Sequence, residues 1–598
     1  MGSFGNVSDG NRVEALVEQR ITLSGVEAVW KRLNFKIDQV ADRRQPWLAD
    51  ERRRGGSTMA DRGTWELVVT GWRHGRAWIR RLGFLLGAGA VLAATLSPTA
   101  GSAAERTSGG DRSHDLVMAT DKGVVRGTIK GNVREFLGIP YAAPPVGELR
   151  WQPAREHARW RGVLDATQFG SPCPQVAGPF GPGSTNEDCL FLNVYTPTRL
   201  DRDDRLPVMF WMHGGALVSG AGSLYDPTSL VAHGVVVVTI NYRLGALGFL
   251  AHSALSALPG GASGDYGLTD QQEALRWSQR NIRRFGGNAR NLTIFGESAG
   301  GLSVHAQLAS PLARGLFTKA ITESGAYSMV QQSLTQAEAA GSQYAAALGC
   351  GDQTAPCLRA LPVASLLAKQ ARIYNPNVDG RVLPQSIGPA LASGQFNRVP
   401  VIEGTNHDEW RLFVALTELV TRHPLAAADY ETAIEQTLPG ISPPFAHTLA
   451  TVVYPLSTYG GNPSIALGAL GTDAIFACNA RTALRSMSGF ISARQYEFGD
   501  EAAPAALTVS FPLGAYHGAE LQYLFAGTPP FTADQRRLSA AMTRYWTQFA
   551  KTGSPNSEAT PAWPAYDAVS ERLQSLVTPA PVPVGGFAAE HRCDVWGG

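Results

Sequence analysis

The sequence carries almost no net charge. Its 598 residues include 52 Lys and Arg against 50 Asp and Glu, and beyond residue 104 the balance is 37 against 40. A surface that binds nucleic acid concentrates basic residues, so this balance argues against a nucleic-acid-binding protein. With 44% hydrophobic and 17% charged residues, the chain is neither disordered nor fibrous, and it is long enough to bury a large core.

The apolar run near the N-terminus lacks the length of a membrane anchor. Residues 82–96 form a run of about 15 residues, whereas a membrane-spanning helix needs roughly 20. Arg80 and Arg81 precede the run and small residues follow it at 101–104, which is the order of a secretory signal peptide. Residues 80–104 therefore predict export followed by cleavage, without a stable membrane anchor. The arginine pair permits a twin-arginine route, although its neighbours fit that signal poorly.

A signal peptide normally begins a chain, but residues 1–79 precede this one. They contain a basic cluster at 52–54 and no repeat or recognisable motif. Two interpretations stay open for this N-terminal extension. Translation starts downstream, for example at Met59, or the segment is a cytoplasmic extension; we expect the first.

Cysteines are few, and none has the spacing of a metal site. All six lie beyond residue 104, and the chain has neither a Cys-x-x-Cys pair nor the Cys/His spacing of a zinc site. An even number of cysteines in an exported protein indicates disulfides. Spacing predicts three bridges, of which two close short loops and one ties the C-terminal segment to the body: Cys173–Cys189, Cys350–Cys357 and Cys478–Cys593. We expect no metal ion and no cofactor.

Buried strands alternate with helices through the first half of the main body. Three short, almost wholly apolar runs between residues 189 and 240 are typical of strands covered on both faces. Residues 269–285 repeat apolar side chains at helical spacing, with Thr269 or Asp270 as the cap. Strand, helix, strand and helix in succession predict an α/β fold around a mostly parallel sheet.

The flanking segments allow only coarser predictions. Residues 116–129 predict paired antiparallel strands, whereas 136–145 contain too many prolines for regular structure. Beyond residue 330 the chain is alanine-rich and mainly helical, with strand candidates at 399–403 and 490–498. No linker divides the chain after residue 115, so we predict one large domain.

The main body centres on a glycine-flanked serine between a strand and a helix. Apolar residues 292–295 lead to Ser298, which lies between Gly296 and Gly300 and is followed by a helical segment. Only glycine at the flanking positions lets the neighbouring backbone pass a serine on such a tight turn, called a nucleophile elbow. Among 65 glycines a Gly-x-Ser-x-Gly match arises by chance roughly half the time. The adjoining strand and helix therefore carry the prediction that Ser298 is a nucleophile.

A serine hydroxyl needs a base that takes its proton and an acid that orients the base. After a nucleophile elbow, the acid comes next along the chain and the histidine last. The histidines that follow the serine are His305, His407, His423, His447, His517 and His591. Order alone does not choose among them. His517 lies in a loop-like stretch between Gly514 and Gly518, which suits a base carried on a loop, whereas His305 lies on the elbow helix itself.

Two neighbouring residues are candidates for the acid. Asp408 and Glu409 follow the predicted strand at 399–403, at the sheet end where functional loops lie. Either carboxylate is able to accept the imidazole N–H, and spacing leaves the two equal.

An oxyanion formed by attack of the serine needs backbone donors that are already in place. His213, Gly214 and Gly215 directly follow a predicted strand, and the two glycines let backbone N–H groups approach a ligand closely. We predict the N–H groups of Gly214, Gly215 and Ala299 as these donors. His213 then braces the loop, because it precedes the nucleophile along the chain.

Several motifs resemble one known family over nearly the whole chain from about residue 115. They are FLGIPYA (136–142), NEDCLFLNVY (186–195), WMHGG (211–215), NYRLG (241–245), FGESAGG (295–301) and YWTQFAKTGSPN (545–556). Together they are highly specific and resemble the type-B carboxylesterases, which include acetylcholinesterase and bacterial carboxylesterases. The resemblance implies an α/β-hydrolase fold, a single catalytic domain over 105–598, and a secreted enzyme that hydrolyses small-molecule carboxylic esters without a cofactor.

The resemblance also assigns individual residues. It implies a catalytic triad of Ser298, Glu409 and His517, which favours Glu409 over Asp408, and it implies the same three cysteine pairs. Ser324 matches a serine that lies close behind the site in the family. The chain departs from the family at three positions: Trp410 replaces a common glycine, Asp265 replaces a usual Asn, and Thr318 replaces a usual His.

Other activities on the same scaffold are alternatives. Hydrolysis of amides, carbamates or longer lipid esters would use the same triad with different pockets. Family members that have lost the nucleophile serve in adhesion or binding, but all three triad positions are filled here. A cholinesterase is disfavoured, because residues 174–188 contain no tryptophan that would stack on a quaternary ammonium group.

Overall fold

The structure is a computed structural model that describes residues 116–199, 205–259, 261–371, 374–505, 507–527 and 530–597. The predicted N-terminal extension (1–79) and signal peptide (80–104) lie outside the described residues. The strands are β1 (Val117–Ala119), β2 (Val124–Arg126), β3 (Thr128–Lys130), β4 (Val133–Pro140), β5 (Val163–Asp165), β6 (Phe191–Pro197), β7 (Leu206–Met212), β8 (Val236–Ile240), β9 (Gly287–Glu297), β10 (Lys319–Glu323), β11 (Val401–Asn406), β12 (Ala493–Phe498), β13 (Leu573–Leu576) and β14 (Val582–Val584).

Eleven strands of the described ranges form one sheet, in the order β14-β13-β12-β11-β10-β9-β7-β8-β6-β4-β3. The strands from β8 across to β13 are parallel to one another. Antiparallel strands complete both edges. The predicted α/β-hydrolase architecture, a large and mostly parallel sheet, is confirmed. A separate small sheet contains β1, β2 and β5.

Helices flank the large sheet and fill the insertions. The α-helices are Thr228–Val231, Gly245–Phe249, Ser253–Ser256, Tyr266–Asn281, Ala299–Ala309, Leu334–Ala347, Ala355–Ala360, Val363–Lys369, Ile387–Ala392, Arg411–Thr421, Tyr430–Thr437, Pro443–Thr448, Pro463–Gly471, Cys478–Ser488, Ala533–Thr552 and Phe587–Glu590. Two short π-helical segments occur, at Leu449–Val453 and Thr472–Ala477. Within the described ranges, every helix is too short or too polar to cross a bilayer.

The sheet is covered by apolar side chains on both faces. Along β7, Val208, Phe210 and Met212 pack into one buried cluster, while Met209 and Trp211 pack into another. Successive side chains of a strand point to opposite faces, so this alternation places a core on each side of β7. The central strands are almost wholly apolar because side chains on both of their faces are buried.

Two local expectations are wrong. The helix predicted to be capped by Thr269 or Asp270 begins earlier, at Tyr266, so neither residue caps it. The Asp270 carboxylate instead binds Arg243, with Oδ1 2.6 Å from Nη2. The segment 136–145 is not irregular throughout, since residues 136–140 complete β4. Pro140 pairs with β6 but lies beyond the residues of β4 that pair with β3, so at this position β4 resembles an edge strand, where proline is tolerated.

Three disulfides join the six cysteines in the pairs that spacing predicts. Cys173–Cys189 joins residues 16 apart, Cys350–Cys357 residues 7 apart and Cys478–Cys593 residues 115 apart. Cross-links of this kind restrict the unfolded chain, and the restriction grows with the length of the closed loop.

Candidate active site

Ser298 lies on a turn that only a special backbone allows. β9 ends at Glu297 and the helix Ala299–Ala309 begins directly after the serine, whose φ is 57°. A Cβ placed on Gly300 would lie 1.9 Å from the carbonyl oxygen of Met212, at the end of β7. The Ser298 N–H donates to the carbonyl of Glu323 on β10, at 2.9 Å. The elbow is thus wedged between its two neighbouring strands.

The loop that follows β7, residues 213–220, lies against the serine; we call it the oxyanion loop. A Cβ on Gly214 would be 3.1 Å from Ser298 Cβ, so this backbone approaches the serine closely. Gly215, Ala216 and Leu217 all have positive φ, which bends the chain sharply. The N–H of Ala299 belongs to the first turn of its helix, where N–H groups have no acceptor within the helix.

His213 braces the start of the oxyanion loop. Its ring is fully buried, stacks on Tyr242 at 4.4 Å between centroids, and has Nδ1 2.8 Å from the carbonyl oxygen of Gly214. Burial lowers the pKa of His213 to about 4, so the ring is neutral at pH 7 and its Nδ1–H donates to that carbonyl. The Tyr242 hydroxyl donates to the His213 carbonyl at 2.7 Å. The bracing role expected from the sequence fits these contacts.

Glu409 and His517 meet across the loops that follow β11 and β12. Oε2 of Glu409 lies 2.6 Å from Nδ1 of His517. Oε1 of Glu409 accepts hydrogen bonds from the Thr405 hydroxyl and the Asn406 N–H, both at 2.8 Å. Since the carboxylate is fully buried and held by three donors, it fixes the orientation of the imidazole ring.

The opposite ring nitrogen of His517 faces the elbow. Its Nε2 lies 3.2 Å from Oε1 of Glu297, the residue before Ser298. Among the described residues the Ser298 hydroxyl makes no hydrogen bond. Phe413 and Phe476 pack on the imidazole at 5.2 and 5.0 Å between centroids. Aromatic rings at these distances restrict the motion of the histidine and shield it from water.

The imidazole lies in a group of buried carboxyl groups. Burial raises the pKa of Glu297 to about 7 and that of Glu323 to about 8. Burial and the neighbouring acids also raise the pKa of Glu520, whose Oε2 accepts a hydrogen bond from Asn406. Although burial alone would lower it, the charges of Glu297 and Glu409 raise the pKa of His517 above its usual value.

The other acid candidate, Asp408, points away from His517. Its carboxylate pairs with Arg411 at 2.9 Å and with His407 at 3.1 Å, and it accepts the Ala515 N–H at 2.9 Å. Asp408 therefore joins the loop that carries Glu409 to the loop that carries His517. Sequence spacing could not separate Asp408 from Glu409, because the choice depends on which side of the turn each side chain faces.

The remaining histidine candidates have other partners. His305 bonds Glu403 inside the core at 2.8 Å, and His423 and His447 are exposed. His591 is buried between Asp473 and Glu497, at 2.7 and 2.6 Å. Although burial alone would lower it, these carboxylates raise the pKa of His591 to about 10. Hydrogen bonds to Asp408 and Glu590 raise the pKa of His407 to about 11.

Ser324 and Trp410 lie close to these loops. Ser324 has φ of 52° and its N–H donates to the carbonyl of Gly404 at 2.9 Å. Trp410 has a φ of −74°, which any residue adopts. The backbone after Glu409 therefore does not require the glycine that is common in the family. The Trp410 ring packs on Phe413 at 4.5 Å, and Gly471 leaves room for it, since a Cβ there would lie 2.1 Å from the indole.

The sequence alone did not predict the residues that contact the His517 ring besides Glu409. Glu297 was visible as the residue before the serine, but nothing in the pattern shows that it faces His517. Phe413 and Phe476 lie in helical insertions, where an aromatic residue is usually part of the core. The described residues offer one cluster of metal-ligand type, Cys350, Asp352 and Cys357, and its two cysteines form a disulfide.

Comparison with known proteins shows the family of the chain. The model of the carboxylesterase family matches residues 114–596. The chain belongs to the carboxylesterase family. Relatives include a pyrethroid hydrolase of Rattus norvegicus, 35% identical over 81% of this chain and 90% of that protein. The para-nitrobenzyl esterase of Bacillus subtilis is 35% identical over 78% of this chain and 96% of its own length.

Other carboxylesterases extend the comparison. The fumonisin B1 esterase of Sphingopyxis macrogoltabida is 33% identical over 82% of this chain and 91% of that protein. A solved structure of a PNB esterase superposes with a TM-score of 0.69 at 33% identity, covering 80% of this chain and all of that one. The protein is thus a carboxylic-ester hydrolase with the α/β-hydrolase fold.

Proposed function

We propose that this carboxylesterase is an exported serine esterase that hydrolyses small-molecule esters through a covalent acyl-enzyme. Ser298 is the nucleophile, His517 the general base and Glu409 the acid that orients it. The observation that carries the proposal is the 2.6 Å contact between Glu409 Oε2 and His517 Nδ1, with the other ring nitrogen 3.2 Å from Glu297, the residue before a strained, glycine-flanked serine.

The reaction follows from these positions. His517 Nε2 takes the Ser298 proton as the hydroxyl oxygen attacks the ester carbonyl carbon, and Glu409 stabilises the imidazolium. For this step the imidazole has to exchange its contact with Glu297 for one with the serine. The N–H groups of Gly214, Gly215 and Ala299 stabilise the oxyanion.

Collapse of the tetrahedral intermediate releases the alcohol, which takes the proton from His517. A water molecule then attacks the acyl-enzyme with His517 again as the base, which releases the acid and restores the serine. Ser324, whose N–H is anchored to the strand β11, supports the backbone beside the nucleophile.

A p-nitrophenyl acyl series tests the proposal. We expect the wild-type protein to release p-nitrophenol and Ser298→Ala to lose roughly 10⁴-fold or more in kcat, because the variant has no acyl acceptor. Stoichiometric labelling by an organophosphonate should be lost in the same variant. A Ser298→Ala variant that keeps most of the activity would refute the assignment. Amide and carbamate analogues in the same assay separate the alternatives.

Export is part of the proposal. What supports it is the signal-like order of residues 80–104 and the three disulfides of the main body, which persist in oxidising compartments. Mass spectrometry of the secreted protein should find a mature N-terminus shortly after residue 104. A mature start before residue 95 would contradict the signal-peptide assignment.

A further inference from the structure

Gln175 links the first disulfide loop to the oxyanion loop. We call residues 173–189, which the Cys173–Cys189 bridge closes, the disulfide loop. Gln175 lies inside it, is 1% exposed, and aims its side-chain amide at Gly220. Its Oε1 accepts the Gly220 N–H at 2.9 Å, and its Nε2 donates to the Gly220 carbonyl at 2.8 Å and to the Cys173 carbonyl at 3.0 Å. Both amide hydrogens are therefore used.

Gly220 is the end of the oxyanion loop, and its position fixes the bend. Its φ is 111°, and a Cβ there would lie 2.3 Å from Nδ1 of His213, so the two ends of the loop touch. Between them, the N–H groups of Val218 and Ser219 both donate to the Gly215 carbonyl at 3.0 Å. Tyr242 holds the first end and Gln175 holds the second.

The rest of the disulfide loop holds Gln175 in place. The Gln175 N–H donates to the Ser184 carbonyl on the opposite side of the loop, and the Gln175 carbonyl accepts the Ser184 N–H, both at 2.9 Å. A Cβ on Gly181 would lie 1.9 Å from the Gln175 side-chain oxygen, so that glycine leaves the space the amide occupies. These contacts hold the amide in place, and Gln175 lies only two residues after the bridged Cys173.

We propose that Gln175 is a positioning residue for the oxyanion hole and that the disulfide loop acts in catalysis through it. The inference rests on the proposed function, because it assumes that Gly214 and Gly215 donate to an oxyanion. Gln175 itself touches no reacting atom. It sets where the Gly214 and Gly215 N–H groups point, by fixing the far end of a loop whose backbone bends through three residues of positive φ.

The expected effect follows from how strongly such donors act. Loss of one oxyanion donor lowers kcat by roughly 10²–10³-fold, and misplacing a reacting group by about 1 Å by roughly 10²-fold. A loosened loop should fall below these limits. We expect Gln175→Leu to lower kcat by roughly 10- to 100-fold with KM within about threefold of wild type, because oxyanion donors bind the transition state more strongly than the bound ester.

Gln331 provides a matched control. It is a buried glutamine whose amide also bridges two backbone segments, accepting the Ile387 N–H and donating to the Ser328 carbonyl, both at 2.7 Å. Gln331→Leu removes two hydrogen bonds between a buried amide and the backbone, against three in Gln175→Leu, without touching the oxyanion loop. It should lower stability as Gln175→Leu does, while kcat stays within about threefold of wild type.

Binding of a ketone pair separates positioning from stability. Ser298 adds to the carbonyl carbon of a trifluoromethyl ketone; its proton goes to His517 and the carbonyl electron pair becomes an oxyanion in the hole. The matching methyl ketone binds without adding. Gln175→Leu should weaken the first inhibitor by the same factor as kcat and leave the second unchanged. An equal loss for both ketones, or the same loss in Gln331→Leu, would overturn the inference.

Gly181→Ala repeats the test from outside the oxyanion loop. Its new methyl group would lie 1.9 Å from the Gln175 side-chain oxygen and 3.2 Å from the Gly220 backbone N, so it displaces the amide and crowds the same end of the oxyanion loop. The chain keeps every catalytic side chain, so the variant tests this contact even if Gln175→Leu folds poorly. Wild-type kcat and ketone ratio in this variant would refute the positioning role. Failure of the proposed function is distinct, because wild-type protein would then show no Ser298-dependent turnover.

Discussion

The two halves of the site are held in place by different parts of the chain. Around Ser298, the geometry comes from backbone: Gly300 fits against the Met212 carbonyl and the serine itself has positive φ. Around His517, it comes from side chains, namely one carboxylate on each ring nitrogen and two phenylalanine rings. Near Ser298, therefore, a few neighbouring positions accept only certain residues, glycine above all. The surroundings of His517 depend instead on residues that are far apart in the sequence.

The difference is sharpest at the acid. Glu409 and Asp408 are adjacent, buried and hydrogen-bonded, yet only Glu409 touches His517. We expect Glu409→Gln to lower kcat by about 10⁴-fold, because the amide no longer holds the imidazole in the reactive tautomer. Asp408→Asn should cost less than about tenfold, since it loosens the loop without changing the ring. Steady-state kinetics of both variants on one ester decide it, and equal losses would contradict the assignment.

Around Ser298, a substitution that shifts the backbone should lower activity. We expect Gly300→Ala to lower kcat by roughly 10²–10³-fold and stability by about 1–3 kcal/mol, because the added methyl group overlaps the Met212 carbonyl and shifts the elbow. Gly489→Ala is the control: a Cβ there meets nothing within 4 Å, and its φ is −71°. Activity and urea unfolding of the pair give the answer. Wild-type turnover in Gly300→Ala would show that the elbow is not wedged.

The smallest effect concerns pH on the histidine half. As the proposed base, His517 is active only as neutral imidazole, and the Glu297 charge stabilises its protonated form, which raises the pKa of His517. Activity should therefore fall as pH drops through a value above about 6.5, the usual pKa of histidine. Glu297→Gln removes one of the raising charges, so the acid limb of kcat/KM should move to lower pH. A limb that stays in place, or moves up, would show that Glu297 does not act on the ring.

The same contrast explains what could be predicted from sequence. The elbow, the Gly214–Gly215 loop and the parallel strands could be predicted, because backbone constraints leave glycines and apolar runs at fixed positions. Glu409 could not be separated from Asp408, nor His517 from five other histidines, by spacing alone; resemblance to the family supplied those assignments. Phe413, Phe476 and Gln175 left no signal, since each is an ordinary core or loop residue until its neighbours are known.

The backbone of Ser298 also affects the stability of the fold. A residue other than glycine that is held at a φ of 57° is strained by on the order of 1–3 kcal/mol. Folded domains are more stable than their unfolded states by only about 5–15 kcal/mol, so this single torsion takes up a noticeable share of that margin. Glycine at 298 would adopt this torsion without strain, but it has no hydroxyl. On the proposed function, the fold therefore gives up part of its stability at the residue that accepts the acyl group.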